Sequence, residues 1–180
     1  MKLLQEIVRH PGLNFQGRTL QRKAVRAIIL KDRKLLMVYS AKKGDYKFPG
    51  GGLNSGETHR QALARELLEE CGASISEIGL AFGKIIEYAL PHETDYTVFK
   101  MTSYYYLCQV GAIFQEQQLE QYEAKLGFQP VWIDLDEALC ANQAILSANH
   151  AESSAWVKRE TFMLEQIKQK LFQDDYVRHL

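Results

Sequence analysis

The stretch Phe48–Ala73, which reads FPGGGLNSGETHRQALARELLEECGA, joins a run of glycines to a segment with three closely spaced glutamates. Three consecutive glycines permit backbone conformations that other residues avoid, and they let the main chain approach a ligand closely. From about Thr58 to Cys71 the apolar residues recur at helical spacing, and Gly72 follows where a helix often ends. The stretch therefore predicts a loop followed by an amphipathic helix.

The three glutamates of this helix, Glu66, Glu69 and Glu70, are spaced so that they share one face. Like charges at this spacing repel each other by about 0.2–0.5 kcal/mol per pair, so they need either open water or a cation. We find no matching Lys or Arg on that face, and carboxylate oxygens suit hard cations such as Mg²⁺ or Mn²⁺. The helix is thus predicted to turn its acids away from Leu63 and Leu67 and to hold a divalent metal.

The joint spacing of loop and helix is more specific than either part. An isolated acidic helix is commonly a solvated surface, and an isolated glycine triplet is commonly a flexible turn. Here Gly51 is followed after five residues by Glu57 and after seven more by the run Arg65–Gly72, which reads RELLEECG. This pattern resembles the signature of the Nudix hydrolase family. Its one departure is Ala73, where the signature favours a larger aliphatic residue.

The resemblance implies an α/β/α sandwich with a mixed sheet and an enzyme that hydrolyses a nucleoside diphosphate linked to another group. It also assigns roles by position. The metal ligands it implies are Glu66, Glu69, Glu70 and the carbonyl of Gly50, and the three glutamates are also the catalytic groups. Gly50 and Gly51 are expected to contact the substrate. Glu57 and Arg65 are expected to be structural partners that tie the loop to the helix.

Two residues outside the signature are further candidates. Arg26 lies in a β-prone run and is predicted to point into the cleft and bind phosphate. Glu123 lies in a polar segment before a predicted strand, from which a mobile loop would reach the site. It is a candidate general base beside Glu66, and the alternative is an ordinary solvent-facing acid.

The remaining pattern predicts an α+β domain. KAVRAIIL and KLLMVYSA are β-prone runs separated by a short polar turn, which indicates a hairpin. We predict an N-terminal extension over residues 1–21, a Nudix hydrolase domain over 22–148 and a C-terminal helix over 149–180 that packs on the domain. That helix carries an apolar stripe at helical spacing, consisting of Trp156, Met163, Ile167 and Leu171. A homodimer interface is the alternative use of the stripe.

The composition of the chain limits the classes of partner and the cellular location that we expect for this protein. The chain has 180 residues and a formal net charge of zero, so it has no overall positive field to attract nucleic acid. The three cysteines form no metal-ligand or disulfide pattern, and no apolar run approaches the length of a membrane span. We therefore expect a cytoplasmic protein whose partner is a small nucleotide derivative.

The substrate subclass stays open between ADP-ribose-like compounds and nucleoside triphosphates, because substrate selection depends on side chains outside the signature. A non-catalytic nucleotide-binding regulatory module of the same fold is the alternative function. Loss of the helix acids would favour that alternative, and this chain keeps all three.

Overall fold

The computed structural model describes residues 1–148 and 155–172. The described strands are β1 (Leu3–Val8), β2 (Thr19–Lys31), β3 (Lys34–Ser40), β4 (Asp45–Lys47), β5 (Ala73–Ala89), β6 (Val98–Phe114) and β7 (Phe128–Asp134). The described helices are α1 (His59–Cys71), α2 (Gln121–Leu126), α3 (Leu135–Ser147) and α4 (Val157–Ile167). A π-helical turn (Lys168–Phe172) follows α4.

The strands form a mixed sheet in the order β1-β5-β6-β2-β3-β4, and β7 pairs with β3. The β2–β6 and β1–β5 pairs are parallel, whereas β5–β6 and β3–β7 are antiparallel. The predicted hairpin of β2 and β3 is present, but only its last two residue pairs, beginning with Leu30 and Leu35, are in register. Asp32 and Arg33 make its turn with φ values of 49° and 65°. On the side that faces β3, the backbone groups of the remaining β2 residues are therefore available to pair with another segment.

Helix α1 has sharply defined ends. Thr58 caps its first turn through a capping box with Gln61, and Gly72 ends it with φ 64°. A Cβ atom at Gly72 would lie 1.9 Å from the carbonyl oxygen of Gln115, so the close approach of the chain just after β6 also requires glycine. The predicted helix and its glycine cap are confirmed.

Alternation along β2 divides the core between its two faces. Val25 and Ala27 pack with Leu63 and Leu67 of α1, whereas Ile28 packs with residues of α3 and α4. Successive strand residues point to opposite faces, so helices cover both sides of this part of the sheet. Full burial of each large aliphatic side chain contributes about 1.5–3 kcal/mol. This is the α+β sandwich predicted from the sequence.

Both ends of the described chain contribute to this core. Strand β1 pairs with β5, and its Ile7 is buried. Met163, Ile167 and Leu171 of the C-terminal stripe are buried in the cluster that also contains Ile28. These three residues thus pack within the chain, while residues 149–154 and 173–180 of the predicted C-terminal helix lie outside the described residues. The predicted domain boundaries and the homodimer alternative stay predictions. Within the ranges 1–148 and 155–172, no helix combines the length and apolarity needed to cross a membrane.

Candidate active site

The glycine loop, residues 48–52, lies against the part of β2 that does not pair with β3. The amide of Val25 donates to the carbonyl of Gly51 at 3.0 Å, and the amide of Ala27 donates to that of Pro49 at 2.9 Å. A Cβ atom at Gly50, whose φ is 131°, would lie 2.2 Å from the Val25 carbonyl oxygen. A Cβ atom at Gly51 would lie 2.4 Å from a carboxylate oxygen of α1. A side chain at Gly50 would therefore clash with the β2 backbone, and one at Gly51 would displace the Glu66 carboxylate.

Arg65 joins the loop to the helix. Its guanidinium meets Glu57 through two parallel bonds, Nε to Oε1 at 2.9 Å and Nη2 to Oε2 at 3.0 Å. The same nitrogen Nη2 donates to the carbonyl of Gly52 at 2.9 Å, and Nη1 donates to Glu66 at 2.8 Å and to Glu69 at 3.0 Å. The hydrogen bonds from Arg65 hold the pKa of Glu57 below its ordinary value. One arginine therefore fixes the loop relative to the acidic turn of α1.

Two of the helix acids are buried directly beside the loop. Glu66 is 8% exposed and Glu70 is 1% exposed. Glu70 accepts a hydrogen bond from the amide of Gly50 at 2.8 Å and forms an ion pair with Lys47. Burial raises the pKa of Glu70 even beside this cation. Burial, and then repulsion from Glu70, raise the pKa of Glu66 to about 7. The positive charge around Glu66 and Glu70 is therefore too small to offset the effect of burial on their pKa values.

These positions correct one expectation. The sequence predicted an acidic face turned away from the apolar arc and free of cations, and that was wrong. Lys47 reaches Glu70 from β4, and Arg65 folds back over its own helix to Glu66 and Glu69. Glu69 is the outermost of the three acids, with 31% of its side chain exposed. Among the described residues, no three His, Cys, Asp or Glu side chains are already gathered as metal ligands.

The donor set nevertheless fits a hard divalent cation by its chemistry. It offers several carboxylate oxygens, two of them buried with raised pKa values, which a doubly charged ion would stabilise in the ionised form. The loop carbonyls of Pro49, Gly51 and Gly52 already accept hydrogen bonds from β2 or Arg65. Gly50 stands between them, close to Glu70, so its carbonyl is the loop oxygen expected to join the carboxylates.

Arg26 of β2 is buried and interacts electrostatically with these acids. It is 9% exposed, and its Nε and Nη1 atoms are buried without a hydrogen-bond partner among the described residues. Its charge lowers the pKa of both Glu66 and Glu70, although burial outweighs that effect. A buried guanidinium that lacks acceptors is costly. An anionic ligand such as phosphate would supply them.

Glu123 lies in α2 and is 4% exposed, so it is not the solvent-facing acid of the alternative interpretation. Its Oε2 accepts from the amide of Glu120 at 2.9 Å, and its Oε1 accepts from the hydroxyl of Tyr122 at 3.0 Å. Both oxygens thus accept hydrogen bonds from residues at the N-terminus of α2. In the described part of the chain, no hydrogen bond or ion pair connects Glu123 to the acids of α1.

Sequence reasoning missed three charged residues around the loop. Lys47 had a detectable signal, because it lies within the same short segment as Pro49. Glu160 had none, since it reaches Phe48 from a helix more than a hundred residues later, and neither had Arg159, which contacts Glu160 on the same helix. Contacts at that separation leave no periodic pattern in the sequence.

Comparison with known proteins agrees with this fold. A family model described as the NUDIX domain matches residues 20–157. The structure resembles a NUDIX hydrolase from Nitrosomonas europaea with a TM-score of 0.55 and 24% identity, over 82% of this chain and 89% of that one. It also resembles a MutT NUDIX hydrolase from Burkholderia pseudomallei with a TM-score of 0.52 and 16% identity, over 82% and 98%. At these identities, the likeness shows the fold alone.

Sequence relatives match over a shorter stretch. An RNA pyrophosphohydrolase from Helicobacter pylori (strain G27) is 41% identical over 54 residues, which is 30% of this chain and 35% of the relative. One from Actinobacillus succinogenes is 34% identical over 68 residues, which is 36% of this chain and 34% of the relative. The chain thus spans about a third of the length of the curated relatives it matches. Fold and site together define an α+β domain with a glycine loop held against an acidic helix. The family model covers more than half of the chain, and the protein belongs to the NUDIX family.

Proposed function

We propose that this protein is a pyrophosphohydrolase that uses Mg²⁺, or Mn²⁺ as a substitute, to hydrolyse a pyrophosphate bond in a nucleoside diphosphate derivative. One observation carries the proposal. Glu66 and Glu70 are buried against a glycine loop and interact electrostatically with Arg26, whose Nε and Nη1 are buried without a hydrogen-bond partner among the described residues. Burying two carboxylates and an unsatisfied cation is costly, unless a ligand of compensating charge completes the site.

The residues have distinct tasks in this proposal. Glu66, Glu69, Glu70 and the Gly50 carbonyl would hold the metal, which when bound neutralises pyrophosphate oxygens and lowers the pKa of water. The Gly50 amide fixes Oε2 of Glu70 and the Lys47 ammonium contacts Oε1, so both oxygens of this carboxylate are held in defined directions. Arg26 would donate to a phosphate oxygen of the substrate.

A carboxylate must also take the proton of the attacking water. Glu66 and Glu123 are the two candidates, and they differ in their surroundings. Glu66 is bonded by Arg65 beside the loop, whereas Glu123 is bonded within α2. The present geometry favours Glu66, because it needs no rearrangement of a helix terminus.

Two substrate classes deserve comparison within this activity. ADP-ribose-like compounds and nucleoside triphosphates present the pyrophosphate group on a small molecule. The pyrophosphate at an RNA end is the second candidate, because the curated relatives are named RNA pyrophosphohydrolases. Binding along an RNA backbone depends on clustered cations, and this chain has no net positive charge. We therefore favour the small molecules.

The test is a substrate screen. Purified protein is incubated with ADP-ribose, nucleoside triphosphates and a 5′-triphosphorylated RNA oligonucleotide, with Mg²⁺ or Mn²⁺ or after chelation. We expect metal-dependent release of a nucleoside monophosphate from a small substrate. In water labelled with heavy oxygen, the label should appear on a phosphorus-containing product. Binding of nucleotide without any turnover would instead support the regulatory module.

The general base has its own test. If Glu123 takes the proton, Glu123→Gln should lower kcat by roughly 10²–10⁴-fold. If it serves only the α2 terminus, the same change should cost about 1 kcal/mol of stability and leave kcat near the wild-type value. Glu116→Gln, at an exposed position nearby, is the matched control for the charge change. Unchanged turnover in Glu123→Gln returns the role to Glu66.

A further inference from the structure

Glu160 of α4 lies at the centre of a buried polar cluster that reaches the glycine loop. Its side chain is fully buried. Oε1 accepts from Arg159, with Nε at 2.9 Å and Nη2 also in contact, and from the hydroxyl of Tyr105 at 3.5 Å. Oε2 accepts from the backbone amide of Phe48 at 3.2 Å. Oε1 therefore bonds Arg159 and Tyr105, whereas Oε2 bonds the loop.

The amide of Phe48 is where this cluster meets the proposed active site. Two residues further along the chain, the amide of Gly50 donates to Glu70 at 2.8 Å. Between them, the carbonyl of Pro49 accepts from β2. Carboxylates from two different helices thus hold amides on either side of Pro49. Because only Pro49 separates the two residues, a displacement of Phe48 would also displace the Gly50 amide. The Glu70 oxygen that accepts from this amide would then change its position.

Helix α4 also contacts the preceding residue, Lys47. The Nζ atom of Lys47 lies 4.7 Å from the ring centroid of Phe128 and 6.0 Å from that of Trp156, which is the N-cap residue of α4. Cations are attracted to aromatic faces at such distances. The same ammonium pairs with Glu70. The helix therefore contacts both residues that lead into Pro49 and the glycines.

Stability alone does not account for a carboxylate at this position. Arg159 donates to Glu87 as well as to Glu160, so three charged side chains are buried together. Apolar residues of similar volume are often as stabilising as a buried ion pair, because desolvation offsets the attraction. What an apolar side chain cannot do is accept the hydrogen bond of the buried Phe48 amide.

We propose that Glu160 is a positioning residue, which holds the Phe48 amide and thereby sets the orientation of the glycine loop and the Glu70 carboxylate. Its effect on turnover rests on the proposed function, whereas its effect on the loop does not. Hydrogen exchange of the Phe48 and Gly50 amides, measured by NMR on the full chain without metal, therefore tests it independently of any substrate.

The decisive variants are Glu160→Gln and Glu87→Gln. Each removes one carboxylate charge beside Arg159, but only Glu160 contacts the loop. A glutamine has one acceptor oxygen, and the guanidinium of Arg159 would take it. The amide nitrogen of the new side chain would then face the Phe48 N–H, donor against donor. The first variant thus breaks the loop contact, and the second is its control.

We expect exchange of the two loop amides to be roughly tenfold to a hundredfold faster in Glu160→Gln, and close to wild type in Glu87→Gln. On the substrate from the screen, kcat should fall by roughly 10–100-fold with KM nearly unchanged, because loss of a supporting contact misplaces the catalytic groups. Equal loop exchange in the two variants would overturn the proposal. If no substrate is turned over, the exchange result still decides it.

A second pair of variants applies if Glu160→Gln does not fold. Arg159→Met combined with Glu160→Gln removes the competing guanidinium and leaves an acceptor for the Phe48 amide. Arg159→Met combined with Glu160→Leu leaves none. We expect slow exchange of the Phe48 amide in the first combination and fast exchange in the second. Equal exchange rates in the two combinations would also overturn the proposal.

Discussion

Within residues 1–148 and 155–172, two clusters of buried glutamates differ in their charge balance. The helix cluster contains Glu66 and Glu70, and the α4 cluster contains Glu87 and Glu160 with Arg159 between them. In the helix cluster, burial raises the pKa of both acids. In the α4 cluster, burial also opposes ionisation of Glu87, but the guanidinium groups of Arg159 and Arg9 outweigh it and lower its pKa.

The difference shows which cluster is prepared for a ligand. The α4 cluster carries its own counter-charges, which favour the ionised form of Glu87, and its charged side chains connect α4 to β5 and to the glycine loop. The helix cluster has cations at its border but lacks enough positive charge to ionise its acids easily. A divalent cation would supply that charge. A site that is incomplete by itself is expected where binding is the function.

The comparison is tested most strongly by Glu70→Gln. We expect turnover to fall on the order of 10³-fold, because the metal loses a ligand and phosphate charge goes unneutralised. Relief of like-charge repulsion on α1 would by itself leave this variant equally stable or slightly more stable. Since Glu70 pairs with buried Lys47, we now expect a loss of about 2 kcal/mol. Turnover and urea denaturation measure the two effects.

Glu137→Gln is the control for this change, because it alters an exposed helix glutamate in α3. It should keep wild-type turnover and stability within about 0.5 kcal/mol. Wild-type turnover in Glu70→Gln would mean that the helix cluster is structural, like the α4 cluster.

The rise in Tm on addition of metal is expected to differ between variants of the two clusters. A cation that binds only the folded site stabilises it by about 2.7 kcal/mol at a hundred times its Kd. For a chain of this size, that corresponds to a rise in Tm of roughly 5–10 °C. Thermal melts with and without Mg²⁺ measure it. Glu87→Gln should keep the gain, and Glu70→Gln should lose most of it. A gain that depends on Glu87 would refute the assignment of the metal to the helix cluster.

Arg159→Lys tests the α4 cluster itself. Lysine keeps the charge but lacks the planar fork that donates to Glu87 and Glu160 together, so we expect a loss of about 2 kcal/mol in urea denaturation. Arg9→Lys is the control, because the Arg9 side chain pairs with Glu87 but with no second carboxylate among the described residues, and it is partly exposed. It should cost less than about 1 kcal/mol. Similar losses in both variants would show that the fork geometry is unimportant.

The smallest expected effect is a dependence of stability on acid. The pKa of Glu87 is lower in the folded protein than its ordinary value. Its contribution is therefore complete above the unfolded pKa, which is about 4.3, and is lost as the pH falls through the lower folded value. Urea denaturation between pH 6 and pH 3 should show a fall that is shallower in Glu87→Gln. Identical slopes would mean that Glu87 does not carry this acid sensitivity.

Much of the local structure could be predicted because its causes lie within a few residues. The ends of α1 depend on Thr58 and Gly72, and its acids share a face through helical spacing alone. The hairpin of β2 and β3 follows from two β-prone runs around a polar turn. Local propensity and periodicity are short-range properties, so one sequence suffices to predict them.

The state of the acids could not be predicted in the same way. The sequence placed Glu66 and Glu70 on an open face, and the folded chain buries them beside Lys47 and the glycine loop. Glu123 was expected to be a loop acid, and it is a buried member of the α2 capping box. Burial and electrostatic partners depend on which distant segments pack together, and helical spacing carries no information on that.

The sequence by itself determined the loop, the helix and the order of the acids along it, because spacing and capping are encoded by neighbouring residues. Only the tertiary structure decided that Glu160 holds the Phe48 amide, a contact between residues 112 positions apart, and that Arg26 has buried donors beside the acids. Charge balance in a buried site is a sum over everything that packs around it. That sum exists only once the chain has folded.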